Sequence, residues 1–266
     1  MNDLLLSEIK SDEKDLIQSV VLLEEHIFAS SGIFADALDK LIKECLAVIE
    51  EIDEPLEQVE QLINELFVRH LFLDEYRDFW PLTGHRLESG IHFRALAPSL
   101  KVILIHHIIT ECGFDVDIIY VPEKNMIRVV CDDIYAIIFD PVTGESLNWH
   151  ELDKRMDDIE GDPSQQELLP ISHKSLLLDH ITSIKNALIR EQVFDLALKC
   201  VDVLLAMRPD DPFERRDRGF LLHQLDCFKV AYDDYRFFVE QCPKDPAAQL
   251  LKLQLDNIRI ADTVIH

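Results

Sequence analysis

The chain has 266 residues, 48% of them hydrophobic, which is enough to bury the cores of two ordinary domains and excludes disorder as the default. Its 26 Lys and Arg against 51 Asp and Glu give a formal charge of −25, which argues against unaided binding to nucleic acid or to an anionic membrane surface. With 7 Gly and 11 Pro in the whole length, helices are expected to outweigh a many-turned β architecture.

Residues 1 to about 80 read as a helical layer. The segments "DEKDLIQSVVLLEEHIF", "GIFADALDKLIKECLAVIEEI" and "DEPLEQVEQLINELFVRHLF" repeat apolar residues every three or four positions. Ser11 and Asp12 are placed to cap the first, and Asp53, Glu54 and Pro55 open the third with an N-cap followed by proline at the first helical position. A stretch read as loop, "WPLTGHRLESGIHFRALAP", leads to the apolar segment Ser99 to Gly113, whose length favours helix and whose glycine fits a C-cap. Three β-branched runs follow, "FDVDIIYVP", "NMIRVVC" and "IYAIIFDP", parted by Pro122 to Lys124 and by Asp132-Asp133. A helix followed by a small antiparallel sheet makes an α+β unit, with its core at about residues 80–156.

The polar stretch Asp157 to Pro170 reads as a linker, extending to residue 177. Beyond it "RPDDP" at Arg208 to Pro212 returns as "CPKDP" at Cys242 to Pro246, an offset of 34 residues, which is the tetratricopeptide period. In that register the small residues for close helix packing fall on Ala197 and Ala231, and the glycine position falls on Gly219 in the second repeat but on Lys185 in the first. Two repeats, Leu178 to Asp211 and Pro212 to Asp245, are expected to be closed by a capping helix in the last residues.

The six cysteines (Cys45, Cys112, Cys131, Cys200, Cys227 and Cys242) show no zinc spacing and sit mostly among apolar neighbours, so they read as reduced thiols of a cytoplasmic protein. The first residues lack a basic n-region, and no apolar run approaches about 18 residues, so neither export nor membrane anchoring is expected. His106 and His107 with Cys112 could suggest a thiol–imidazole pair, but six residues of helix put His106 and Cys112 on opposite faces. His92, His106 and His107 with Asp115 or Asp117 lack a spacing that fixes metal geometry, and no cofactor is expected. Asp140, in "FDPVTGESL", reads either as turn punctuation or as a catalytic carboxylate in want of partners. In "FERRDRGF" the arginines Arg215, Arg216 and Arg218 crowd with two acids at the opening of a repeat helix, either as a salt-bridged surface or as a docking point for a protein partner.

The tail motifs "RDRG", "QLDC", "FVEQCP" and "DNI", with "GFDVDIIYVP" and "FDPVTGESL" upstream, resemble the SirB-type bacterial family, named after a regulator of invasion genes. That family joins a transglutaminase-like domain to tetratricopeptide repeats, and the resemblance covers the whole chain. It implies a predominantly helical α+β fold: a helical amino-terminal layer, a papain-like core and carboxy-terminal repeat helices. In active members of the wider superfamily a cysteine opens a helix, a histidine lies on a strand and an aspartate on the next, so that the helix end and the imidazole lower the thiol pKa.

Here the resemblance puts the cysteine position near Pro98 or Ser99, in "ALAPSLKVIL", and the histidine position of a P-G-H-F-x-x-R motif on Lys124, in "PEKNMIR". Asp140 alone matches the triad. The expectation is a degenerate triad and a non-catalytic interaction or regulatory module with a protein partner. The competing expectation is a hydrolase or acyltransferase using Ser99, Lys124 and Asp140.

Overall fold

The protein is described from a computed structural model, which covers residues 15–29, 34–132, 135–157, 168–253 and 255. These fall into two compact units: the first ends at His180, and the second starts at Ile181 and also takes in His26–Phe28.

In the first unit three amphipathic helices come first: α1 (Leu16–Phe28), α2 (Ala35–Ile49) and α3 (Pro55–Asn64), the last running into a π turn at Glu65–Arg69. Asp15 caps α1 by accepting the Ile17 amide at 3.1 Å; the expected caps Ser11 and Asp12 lie outside the described residues. Glu54 and Pro55 open α3 as expected, because proline needs no N–H partner in a first turn. The stretch read as loop is largely helical: a 3₁₀ turn at Leu82–His85 leads into α4 (Leu87–Phe93). Gly90 sits under Leu96, where a Cβ would come within 2.8 Å of that side chain, so the residue marks close packing rather than a break.

The centre of the unit is α5 (Pro98–Glu111), in which Leu100, Val102, Ile103, Leu104, Ile105, Ile108 and Ile109 are all buried. A helix that is apolar all round must be covered all round. It ends at Gly113, whose φ of +92° supplies the left-handed cap. The strands β1 (Asp115–Val121), β2 (Lys124–Val130) and β3 (Ala136–Phe139) form an antiparallel meander in chain order. Lys124, read as part of the connecting turn, is the first residue of β2, paired with Val121. The turn shrinks to two residues because Glu123 takes φ +73°.

Both faces of the sheet are buried. Ile119, Val121, Met126 and Ile138 cluster with Leu152 of α6 (Trp149–Asp157), while Ile118, Ile127 and Phe139 fill the alternate face; α5 packs against β1 and β2. The outer edge of β1 is closed where the polar stretch ends, with Pro170 bridging to Ile119 and the Ile171 amide donating to the Ile118 carbonyl at 2.8 Å. Of the expected linker, residues 158–167 lie outside the described residues, and 173–177 belong to a helix.

That helix is α7 (His173–Arg190), within which the unit boundary falls. The second unit continues with α8 (Phe194–Met207), α9 (Pro212–Gln224) and α10 (Phe228–Gln241), followed by helical backbone at 246–253. This is the helix-turn-helix alternation that the 34-residue offset predicts. At Gly219 a Cβ would come within 2.8 Å of the Tyr235 ring, so the absence of a side chain there lets α9 and α10 touch. Lys185, the exception in the first repeat, is buried and donates to both Glu214 oxygens at 2.9 Å and to Asp217 at 2.7 Å.

Candidate functional site

Pro98 takes the first helical position of α5, and Ser99 follows it, where a papain-like nucleophile would stand. Ser99 Oγ lies 3.2 Å from Nδ1 of His180. The imidazole is fully buried, and burial, with His85 nearby, pushes its pKa down to about 3, so it is neutral. Its Nε2 has no hydrogen-bond partner among the described residues. Among the described residues no carboxylate is hydrogen-bonded to this imidazole, in contrast to a triad in which an acid orients the ring.

Lys124 and Asp140 meet at the ends of β2 and β3. Lys124 Nζ donates to Asp140 Oδ2 at 2.8 Å, while Oδ1 accepts from Tyr76 Oη at 3.2 Å, from the Val142 amide at 2.8 Å and from the Thr143 amide at 3.4 Å. The ammonium also lies 4.1 Å from the Tyr76 ring centroid. Asp140 is 5% exposed and the Lys124 side chain 28%, so the pair sits at a rim with the carboxylate inside. Burial first, then the Asp140 charge, holds the Tyr76 phenol well above its ordinary pKa, and it remains a donor. The Asp140 backbone closes the turn itself: its amide donates to the Glu145 carbonyl at 3.0 Å and its carbonyl accepts from Gly144 at 2.8 Å. Gly144 needs to be glycine, since its φ is +73° and a Cβ would stand 2.6 Å from Phe67 Cγ.

The lysine of the apolar run in α5 completes the arrangement. Lys101 is fully buried and donates to the carbonyls of Phe72 and Val142, the latter at 2.8 Å. Burial lowers its pKa to about 8, against the pull of Asp74 and Asp140. Lys101 thus ties the turn beyond Asp140 to the central helix.

The trio Ser99, Lys124 and Asp140 is therefore divided: two members pair with each other, and the serine pairs with His180. Tyr76, Lys101 and His180 were not singled out by sequence. A charge inside "SLKVILI" was a usable signal for Lys101; Tyr76 and His180 reach the site from remote segments and carry none.

The remaining sequence candidates have structural partners. His106 Nε2 lies 3.2 Å from the Val116 carbonyl, His107 lies 3.4 Å from Asp15, Asp117 pairs with Arg128, and His92 packs edge-on against Phe93 at 4.7 Å. Burial pushes the Cys45, Cys112 and Cys200 thiols up to about 12, 11 and 12, so none is poised as a thiolate. Among the described residues no group of three or more His, Cys, Asp or Glu is placed to hold a metal ion. In the repeats Arg218 grips Asp234 with two nitrogens at 2.6 and 2.7 Å, Arg215 reaches the same carboxylate at 3.3 Å, and Arg216 pairs with Asp217 at 2.8 Å.

Comparison with known proteins matches this division. Residues 34–179 match the transglutaminase-like superfamily and residues 184–256 the tetratricopeptide repeat. A UPF0162 protein of Vibrio cholerae is 31% identical over 83% of both chains. The UPF0162 protein YchA of Escherichia coli K12 is 28% identical over 98% of this chain and 99% of its own, and protein SirB1 of Salmonella typhimurium 26% over 98% and 99%. Among solved structures, menin aligns over 89% of this chain and 68% of its own at a TM-score of 0.35 and 10% identity, too distant to carry an argument. The chain belongs to the family of SirB1 and the UPF0162 proteins, in which a transglutaminase-like domain precedes tetratricopeptide repeats.

Proposed function

We propose that this protein is a non-catalytic interaction module of the cytoplasm, in which the transglutaminase-like unit is a scaffold and the repeats receive a protein partner. The observation that carries the reading is the ion pair at the old triad: an ammonium occupies the histidine position and is held on Asp140 at 2.8 Å, while no thiol stands at the start of α5. Lys124 Nζ is committed to Asp140 Oδ2 and to the Tyr76 ring rather than aimed at a nucleophile. The six unpaired cysteines and the −25 charge support a reducing compartment and a protein rather than a nucleic-acid partner. Among the described residues no single helix is long and apolar enough to cross a membrane.

Of the three arginines first singled out, Arg216 is the one to test on the surface, because its ion pair is local to its own helix, whereas Arg215 and Arg218 hold Asp234 of the next. Capture from a native lysate with the intact chain and with Arg216→Glu should give a specific partner that the variant loses. An unchanged set of captured proteins would count against the repeat surface. Separately, acyl transfer from a glutaminyl peptide to an amine, or thioester hydrolysis, should stay at background; a rate that disappears in Asp140→Ala would overturn the non-catalytic reading.

A further inference from the structure

On the first unit, α4 and the start of α2 line a pocket of about 580 Å³. This is the size of a pocket for a small organic molecule. Its polar wall carries two guanidiniums in a chain that is otherwise strongly acidic: Arg86 and Arg94 line it with the His92 imidazole, and Glu88 is the one carboxylate among the described lining residues. Its apolar wall includes the rings of Phe34 and Phe93, and Phe93 is largely exposed.

The arginines differ. Arg86 has Glu88 at 4.0 Å. Arg94 ends α4 in a left-handed conformation, φ +59°, with its guanidinium 4.9 Å from the Phe72 ring centroid. Among the described residues it makes no ion pair or hydrogen bond, and its Nη1 is buried without a partner. Burial works against its charge, and Glu44 supports that charge only at longer range. A guanidinium offers five donors in a planar fork matched to an oxyanion, and a buried Nη1 left without an acceptor is costly. The Ser89 hydroxyl, by contrast, is already committed to the Thr83 carbonyl at 2.6 Å.

We propose that this cavity binds a small organic oxyanion, a phosphate monoester or a carboxylate on an aromatic body, with the head on Arg94 and Arg86 and the ring between Phe34 and Phe93. The site lies apart from the Lys124–Asp140 pair and does not depend on whether the repeats take a protein partner. His92 adds a further donor at the mouth.

The test is a calorimetric or NMR titration of the intact chain with phenyl phosphate, phenylacetate and inorganic phosphate. Saturable binding of one of the two aromatic anions, tighter than inorganic phosphate, is expected, and which of them binds identifies the head group. Arg94→Met should weaken it by about tenfold or more, the loss of a charge-assisted hydrogen-bonded partner. Phe93→Asp, on an exposed side chain, places a carboxylate at the mouth and should weaken binding without disturbing the fold, so it decides the matter should Arg94→Met fail to fold. No saturable binding of either aromatic anion, or binding unchanged in folded Arg94→Met or Phe93→Asp, would overturn the proposal. Inorganic phosphate bound as tightly as phenyl phosphate would refute the aromatic half of the site.

Discussion

Removing Asp140 should cost the protein more than removing the lysine that pairs with it, and the difference can be worked from the geometry. In Asp140→Ala the Val142 amide, buried and 2.8 Å from Oδ1, loses its acceptor, as do the half-buried Thr143 amide and the Tyr76 hydroxyl. An unsatisfied buried donor costs about 1–3 kcal/mol, and Lys124 can turn to solvent, so the total is about 3 kcal/mol. In Lys124→Met the carboxylate keeps its three other donors and loses one charge-assisted bond at a partly exposed rim, about 1–2 kcal/mol. Denaturant unfolding of both variants, followed by circular dichroism with the slope checked for constancy, measures the two costs. A Lys124→Met change as costly as Asp140→Ala would show that the ion pair, not the turn, is what Asp140 holds together.

Two further expectations concern buried charge. Lys185→Gly installs the residue the repeat pattern asks for, yet should destabilise the repeats by about 3–5 kcal/mol, because Glu214 is left buried and unpaired; adding Glu214→Gln should recover part of this, and additive losses would refute the coupling. Glu24 is buried with its pKa raised by burial to about 7, so between 4.5 and about 7 the folded state keeps a proton that the unfolded chain has lost, and stability falls as pH rises through that window. Glu24→Gln should therefore gain on the parent above pH 7, by on the order of 3 kcal/mol, and match it near pH 4; an advantage independent of pH would count against this assignment. His180 has the opposite sign: its folded pKa near 3 against 6.5 means stability is lost as pH falls below 6.5, and His180→Phe should remove that loss.

The parts legible in sequence were those written in local chemistry. Apolar periodicity marked α1 to α3, the length of an apolar run and its closing glycine marked α5, β-branched runs marked all three strands, and the 34-residue offset marked the repeats. The turn "FDPVTGESL" was legible as a turn because Asp, Pro and Gly each have a backbone reason to be there, and Gly144 takes the positive φ. What local chemistry misread was the stretch Trp80 to Pro98, read as loop but holding a 3₁₀ turn and α4, in which Gly90 serves close packing. What it could not carry was the set of long-range partners. Tyr76 reaches Asp140 across 64 residues of chain and His180 reaches Ser99 across 81, and nothing in either neighbourhood announces the other.

On the proposed non-catalytic reading, the Lys124–Asp140 pair is a triad position that has outlived its chemistry. In an active relative the aspartate would orient an imidazole, a duty that lapses when the imidazole is absent. Here the same carboxylate also accepts two amides of its own turn, and that turn is fastened to α5 through the Val142 carbonyl and the buried Lys101. Asp140 is thus a buried acid that the turn uses whether or not an imidazole faces it, and a cation beside it offsets part of the cost of its burial. Lysine meets that need from the first position of β2: its stem lies along the sheet end, its ammonium rests by the Tyr76 ring, and its charge sits on Oδ2. By this reasoning Lys124→His should keep the Asp140 contact and much of the stability while generating no acyl transfer, because the thiol is still missing from α5. Stability retained and activity absent would separate the structural debt of Asp140 from its lost catalytic one; acyl transfer in that single variant would mean that Ser99 is a working nucleophile and would overturn the account.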